Sequence, residues 1–244
     1  MELIETTVLN GQVTIFQPVK GGLRVTIDSI FCASACPAKS GETICDLGAG
    51  TGVVGLCAGF KAGKDAHLTF VEVQQDYSDL CLKNAFENRI EADSICADVR
   101  AFKTADKIDH VVCNPPYLEM DNHFKSPDVA RQKALGEEEN GAVLNDWISC
   151  AERILKHKGS LSLIHRADAL DDILILLKRY KFGAIEAWPL YPYVDKPAHR
   201  IIIRAYLGRK TKLTLHHGII MHPSEGNEKY TDKAQAVLSG ELLD

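Results

Sequence analysis

The most specific chemistry in the chain lies in four consecutive residues, Asn114-Pro115-Pro116-Tyr117, directly after the apolar run Ile108 to Cys113. Two successive prolines remove two backbone donors and stiffen the chain, leaving the carbonyls of Asn114 and Pro115 free to accept bonds. An aromatic amine is a poor nucleophile because its lone pair is delocalised into the ring. Bonds from its two N–H groups to the Asn114 side-chain oxygen and the Pro115 carbonyl would favour a pyramidal nitrogen and aim the lone pair at an electrophile. No strong base is needed, because the proton leaves once nitrogen is cationic. Tyr117 can stack on a planar base that has left its neighbours to enter such a pocket. The plainer alternative is a rigid proline turn with Tyr117 packed on the core.

A second constellation precedes it. Thr43-Ile44-Cys45-Asp46-Leu47 reads as a strand running into Gly48-Ala49-Gly50-Thr51-Gly52 and then an apolar helix from Val53. Glycines there let the backbone approach a ligand and expose helix N-terminal amides. Gly50-x-Gly52-x-x-Gly55 also fits a dinucleotide fingerprint, so the loop alone does not choose its cofactor. Asp46 separates the readings: an anion there repels a pyrophosphate but accepts bonds from an ammonium. S-adenosyl-L-methionine carries an ammonium and a sulfonium. Glu72, followed by Val73 at the end of the next apolar run, can accept from both ribose hydroxyls of an adenosine. Asp98 can accept from an adenine amine while Val99 packs on its ring. A structural turn acid at Asp46 and a helix cap at Asp98 are the bland alternatives.

These residues need a scaffold that brings strand ends together. From residue 43 short apolar runs alternate with amphipathic ones, the pattern of a parallel sheet covered by helices on both faces. Strands are expected near 43–47, 67–73, 94–97, 108–113, 159–165, 184–189 and 200–207, and helices near 52–63, 75–89, 142–157 and 168–180. Ahead of them, residues 6–17 read as two strands around Asn10-Gly11, a hairpin turn dipeptide. Asp28 is expected to cap a short helix ending before Pro37. The expected fold is therefore α/β and Rossmann-like, with a seven-stranded, mostly parallel sheet and an N-terminal β-hairpin extension. Its divisions are expected at 1–40 (hairpin and helix), 41–208 (catalytic domain) and 209–244 (C-terminal extension). Segment 118–140 breaks the rhythm and reads as a long loop.

A length of 244 residues with 45% hydrophobic composition suits one large domain. The net charge of -5 gives no global attraction to polyphosphate, so a nucleic acid would need a local basic patch. Lys196 to Ser224 supplies a candidate: it contains Lys196, Arg200, Arg204, Arg209, Lys210 and Lys212 and no acid. Arg200, Ile202, Arg204 and Tyr206 share one strand face by the two-residue period. Such a strand is either an RNA-binding edge or a charged edge that resists pairing. His165 and Arg166 end the fifth strand at the same side of the sheet and can touch a substrate or satisfy nearby backbone. His216, His217 and His222 lack an accompanying carboxylate or cysteine in sequence, so surface or RNA-facing roles are expected and no metal. The eight cysteines form no Cys-x-x-Cys pair and read as reduced core thiols, Cys32 and Cys36 included. No signal peptide or membrane span is expected, which suggests a cytoplasmic chain.

The chain resembles the class I methyltransferases with an Asp/Asn-Pro-Pro-Tyr/Phe motif and, more narrowly, bacterial tRNA adenine-N6 methyltransferases that modify a valine tRNA beside its anticodon. The likeness spans nearly the whole chain, through Gln17-Pro18, Arg24-x-Thr26-x-Asp28, Asp46 to Gly52, Asn114 to Tyr117 and Ile164 to Asp168. It implies that Asp46, Gly48, Gly50 and Gly52 surround the methionine moiety of the cofactor, with Ala49 where many members carry Cys or Ser. Glu72 would then hold the ribose and Asp98 the adenine, with Val73, Val99 and Asn114 also on the cofactor and Thr26 closing over the methionine end. The expected function is N6-methylation of an adenine in RNA, with Tyr117, His165, Arg166, Arg200 and Arg204 toward the substrate. Protein glutamine N5-methylation needs the same planar NH2 recognition but usually a helical N-terminal domain. DNA adenine methylation usually needs a sizeable target-recognition region. An NAD-dependent oxidoreductase and a catalytically silent RNA-binding module are alternatives of other classes. The sequence leaves the oligomeric state open.

Overall fold

A computed structural model describes residues 1–20, 22–63, 65–117, 141–226 and 229–243. The expected 118–140 loop lies outside these residues. Hairpin β1 (Leu3–Val8) and β2 (Val13–Pro18) leads to helix α1 (Ile27–Ser34). Then come β3 (Thr43–Leu47), α2 (Val53–Ala62), β4 (His67–Glu72), α3 (Gln75–Glu87), β5 (Ala92–Cys96) and β6 (Ile108–Cys113). After the undescribed segment follow α4 (Leu144–Ile154), β7 (Leu155–Arg166), a short 3-10 turn, α5 (Leu170–Arg179), β8 (Phe182–Tyr191) and β9 (Arg200–Leu207). Two short strands, β10 (Thr214–Leu215) and β11 (Ile219–Ile220), precede α6 (Asp232–Leu238).

The main sheet runs β10-β8-β9-β7-β6-β3-β4-β5, with β11 also on β8. Pairs among β5, β4, β3, β6 and β7 are parallel, whereas β9 is antiparallel to both neighbours. Counting only the seven long strands from β3 gives the order 3-2-1-4-5-7-6 with the seventh reversed. This is the expected Rossmann-like architecture, enlarged to nine strands by the two C-terminal additions. The chain turns left from β3 to β4 and β5, and right from β6 to β7. The carboxyl ends of β3 and β6 therefore flank the crevice where open α/β sheets bind ligands.

β3 is central because its sequence allows nothing else: four of its five residues are buried. The apolar α2, α1, the hairpin and α6 cover one face, in a cluster that includes Phe31, Leu56 and Phe70. Amphipathic α4 and α5 cover the other, around Ile148, Leu161 and Leu177. Asn10 and Gly11 both adopt positive φ, as a hairpin turn demands, and Gln12 N donates to Leu9 O at 3.2 Å. Asn84 on α3 and Asn88 at its C-cap, one turn apart, clamp the hairpin: Asn84 Oδ1 accepts from Phe16 N and Asn88 Oδ1 from Thr14 N. Thr26, not Asp28, stands at the N-cap of α1; Asp28 falls inside the first turn and is used elsewhere. Strand β9 is no edge at all, since β7 and β8 pair along both its sides. No helix among the described residues is long and apolar enough to cross a membrane.

Candidate active site

The glycine loop owes its shape to the protein around it. Gly48, Gly50 and Gly52 adopt positive φ of 69°, 55° and 82°, which a side chain resists. Space is short as well: a Cβ on Gly48 would meet the Trp147 ring at 2.6 Å, and one on Gly50 would meet Leu23 at 2.9 Å. At these two positions glycine thus accommodates neighbouring side chains. Gly48 N and Ala49 N both donate to Val71 O, and Gly50 N donates to Glu72 Oε2 at 2.9 Å. The loop amides expected to face an anion are therefore largely spent within the protein.

Asp46 decides between the two cofactor readings. Its Oδ2 accepts from Gly55 N at 2.8 Å, so a carboxylate already caps the first turn of α2 where a pyrophosphate would have to bind. A Cβ on Gly55 would lie 2.8 Å from Phe70, which makes this glycine a packing residue. Asp46 Oδ1 is buried and has no hydrogen-bond partner among the described residues. Burial, reinforced by the neighbouring Glu72 charge and partly offset by the Gly55 bond, pushes the Asp46 carboxyl up to about 7. Glu72 is also buried and raised by desolvation, although it accepts from Gly50 N and from Gln74 N at 3.0 Å. Two buried carboxyls with an orphaned oxygen, neither paired with a cation among the described residues, fit a ligand that brings positive charge. Spare lone pairs on Glu72 fit hydroxyl donors.

The other expected cofactor residues occupy the same rim. Val73 is 56% exposed beyond the end of β4, whereas Val99 is buried after β5. Asp98 is held well below the usual carboxylate range by Arg100, which pairs with it at 2.5 Å, and Arg100 N donates to its Oδ1 at 2.8 Å. The Asp98 carboxylate is thus engaged in its own turn here. Thr26 is exposed at the N-cap of α1, with its hydroxyl 3.5 Å from Ser29 Oγ.

Asn114 to Tyr117 leave the carboxyl end of β6 beside Asp46. The Tyr117 hydroxyl lies 2.9 Å from Asn114 Oδ1 and 3.0 Å from Asp28 Oδ2. Asn114 Nδ2 faces Ser29 Oγ at 3.4 Å. Arg200 Nε donates to Asp28 Oδ2 at 2.9 Å, and its guanidinium lies 4.6 Å from the Tyr117 ring centroid. His165 meets the same ring edge-to-face at 5.0 Å. Burial pushes His165 down to about 4, which favours the neutral ring, and its Nδ1 has no partner among the described residues. Arg166, the neighbouring residue, pairs with Asp168 through Nε at 2.9 Å.

Arg204 must be moved out of the substrate set. It shares a strand face with Arg200, as the two-residue period demands, but lies four residues, or about 13 Å, farther along β9. There it forms a two-pronged pair with Glu186 at 2.7 and 3.0 Å and lies over Trp188. His216 stacks on Trp188 at 4.3 Å with Nε2 3.2 Å from Glu186, so it too is structural and does have a carboxylate beside it. The acid-free stretch is acid-free only along the chain: Asp28, Glu186 and Glu225 reach Arg200, Arg204 and Lys196 from elsewhere. All eight cysteines are unpaired, seven of them buried and Cys96 exposed.

Sequence reasoning missed four residues. Trp147 and Leu23 fill the space over the glycines, Asp28 holds Tyr117, and Asn84 Nδ2 reaches Thr51 O at 2.9 Å to tie the loop to α3. None carries a local motif, and only the Asp28 position gave any signal, as part of Arg24-x-Thr26-x-Asp28.

Residues 24–132 match the methyltransferase small domain. A tRNA1(Val) (adenine(37)-N6)-methyltransferase of Aeromonas hydrophila is 23% identical over 215 residues, covering 86% of each chain. The structure of a predicted O-methyltransferase from Agrobacterium tumefaciens superposes with a TM-score of 0.70 at 25% identity, covering 89% of this chain and 98% of that one. A T. thermophilus 16S rRNA methyltransferase, solved with AdoMet and guanosine, shares the fold at TM-score 0.58 and 19% identity, over 84% of this chain and 50% of its own.

Proposed function

We propose that this chain, a class I methyltransferase carrying a methyltransferase small domain, uses S-adenosylmethionine to methylate the N6 amine of an adenine in tRNA, beside the anticodon. The observation that carries the reading is the placement of Asn114 at the end of β6, alongside the strand that carries the buried Asp46, with its Oδ1 2.9 Å from the Tyr117 hydroxyl. The A. hydrophila relative's name supports adenine 37 of a valine tRNA as the target.

The cofactor supplies a methyl group made electrophilic by its sulfonium. Asp46 Oδ1 would accept from its ammonium, Glu72 from its ribose hydroxyls, and Asp98 and Val99 would meet its adenine, with Val73 beside Glu72. Ala49 and the glycines shape the wall against which it lies. At the acceptor, Asn114 Oδ1 and Pro115 O take the two N–H bonds of the amine, and Pro116 keeps the turn rigid. Tyr117 stacks on the everted base, and His165 and Arg166 border it. Holding amine and methyl in line supplies much of the rate. A hydroxyl acceptor, as the A. tumefaciens description suggests, would need its proton removed before attack; an amine does not.

The test is to incubate the protein with methyl-labelled cofactor and unmodified total tRNA, digest the RNA and identify the labelled nucleoside by mass spectrometry. N6-methyladenosine is expected. Label in protein instead of RNA would promote glutamine methylation, and tight NAD(H) binding without S-adenosylmethionine binding would sink the methyltransferase mechanism.

A further inference from the structure

Three oxygens meet at Tyr117, and between them they hold one proton. The hydroxyl has one hydrogen to give, yet both Asp28 Oδ2 and Asn114 Oδ1 lie within 3.0 Å of it. Asp28 also accepts from Arg200 Nε, so Asn114 Oδ1 and Asp28 compete for the tyrosine. Arg200 meanwhile lies over the Tyr117 ring with its planar guanidinium, a flat cation where a stacked base would lie. Both cannot stack on the same face. A third of the Arg200 side chain is exposed, against 17% for Asp28.

Resting on the RNA reading above, we propose that Asp28 and Arg200 form a latch for Tyr117. Without substrate, Arg200 occupies Asp28 Oδ2 and lies over the ring, which leaves the tyrosine hydroxyl to Asn114 Oδ1, the acceptor the target amine needs. When a nucleotide is everted, Arg200 leaves the ring for the backbone phosphate, the ring face opens to the base, and the hydroxyl yields Asn114 Oδ1 to the amine. Phosphate capture and base capture are thereby coupled through one side chain, and the site favours adenine carried on a phosphodiester chain. Both are positioning residues; neither touches the transferred methyl.

The test compares Asp28→Asn, Arg200→Ala and Arg200→Lys in the full chain, with the melting of each followed as a fold control. Arg200→Ala is expected to raise KM for tRNA about tenfold or more, with a smaller change in kcat, and to lower the salt slope of tRNA binding by about one. Arg200→Lys keeps the charge and should restore the slope. Asp28→Asn, which frees Arg200, should lower KM. Independently of RNA, tetranitromethane nitration of Tyr117, read by mass spectrometry, should quicken several-fold in all three variants, because each uncovers the ring. Equal nitration rates in folded variants, or a fall in kcat with KM and salt slope unchanged, would overturn the latch. Failure of the wild type to modify tRNA would count against the functional reading alone, since nitration still reports on the latch.

Discussion

Replacing Asp46 by Asn should stabilise the ligand-free protein at neutral pH while destroying cofactor binding. The Asp46 carboxyl stands at about 7 in the fold against an ordinary 3.8, so the folded state binds the extra proton between those values. Stability therefore falls as pH rises through this window, and the full cost is present above pH 7. Three units at about 1.4 kcal/mol each make roughly 4 kcal/mol. Asparagine keeps an acceptor for Gly55 N but buries an amide donor where Oδ1 now has no partner, at about 1–3 kcal/mol. The net gain near pH 8 is then about 1–3 kcal/mol, or a rise in melting temperature of roughly 2–12 °C. At about pH 4 the carboxyl is largely neutral, the gain vanishes, and the variant should melt below the wild type. Thermal melts of both proteins from about pH 4 to 8 measure this crossover. Calorimetry with S-adenosylmethionine supplies the second half. Wild-type affinity should fall about tenfold per unit below pH 7, because binding must release a proton, and the variant should lose that dependence with most of its affinity. A variant less stable than wild type at every pH, or one that binds the cofactor normally, would refute the assignment of Asp46 as the ammonium acceptor.

Asn114→Ala removes the acceptor for the target amine, and kcat should drop by about 10²-fold or more, with a smaller loss of cofactor affinity. If labelled transfer continues undiminished, the amine mechanism is wrong. Gly48→Ala combines a positive φ with a clash against Trp147 and should cost roughly 2–5 kcal/mol in urea unfolding. A smaller residue at Trp147 should return part of that loss, measured as a coupling energy in a double-mutant cycle. Arg204→Ala leaves Glu186 with His216 as its remaining partner and should destabilise by about 1–3 kcal/mol in the same assay. Its salt slope for tRNA should match wild type, in contrast to Arg200→Ala.

Features written contiguously along the chain were legible without the fold. A strand, a glycine turn and a helix start can be read from Thr43 to Leu56, because the turn's φ angles demand glycine at neighbouring positions. The tetrapeptide from Asn114 to Tyr117 announces its chemistry for the same reason: the acceptor, the rigid prolines and the ring are adjacent. Alternating apolar runs fixed the strands of the central sheet to within a few residues, since strands buried on both faces admit little else. Tertiary structure alone decided which partner each charged group meets. Arg200 finds Asp28 across 172 positions and Arg204 finds Glu186 across 18, so one becomes a neighbour of the site and the other a brace, although both sit on one strand face. It also decided that β9 lies inside the sheet, that Trp147 and Leu23 fill the space over the glycines, and that Asp46 keeps an unpartnered oxygen. Burial and pairing are properties of packed neighbours distant in sequence, and no local spacing encodes them.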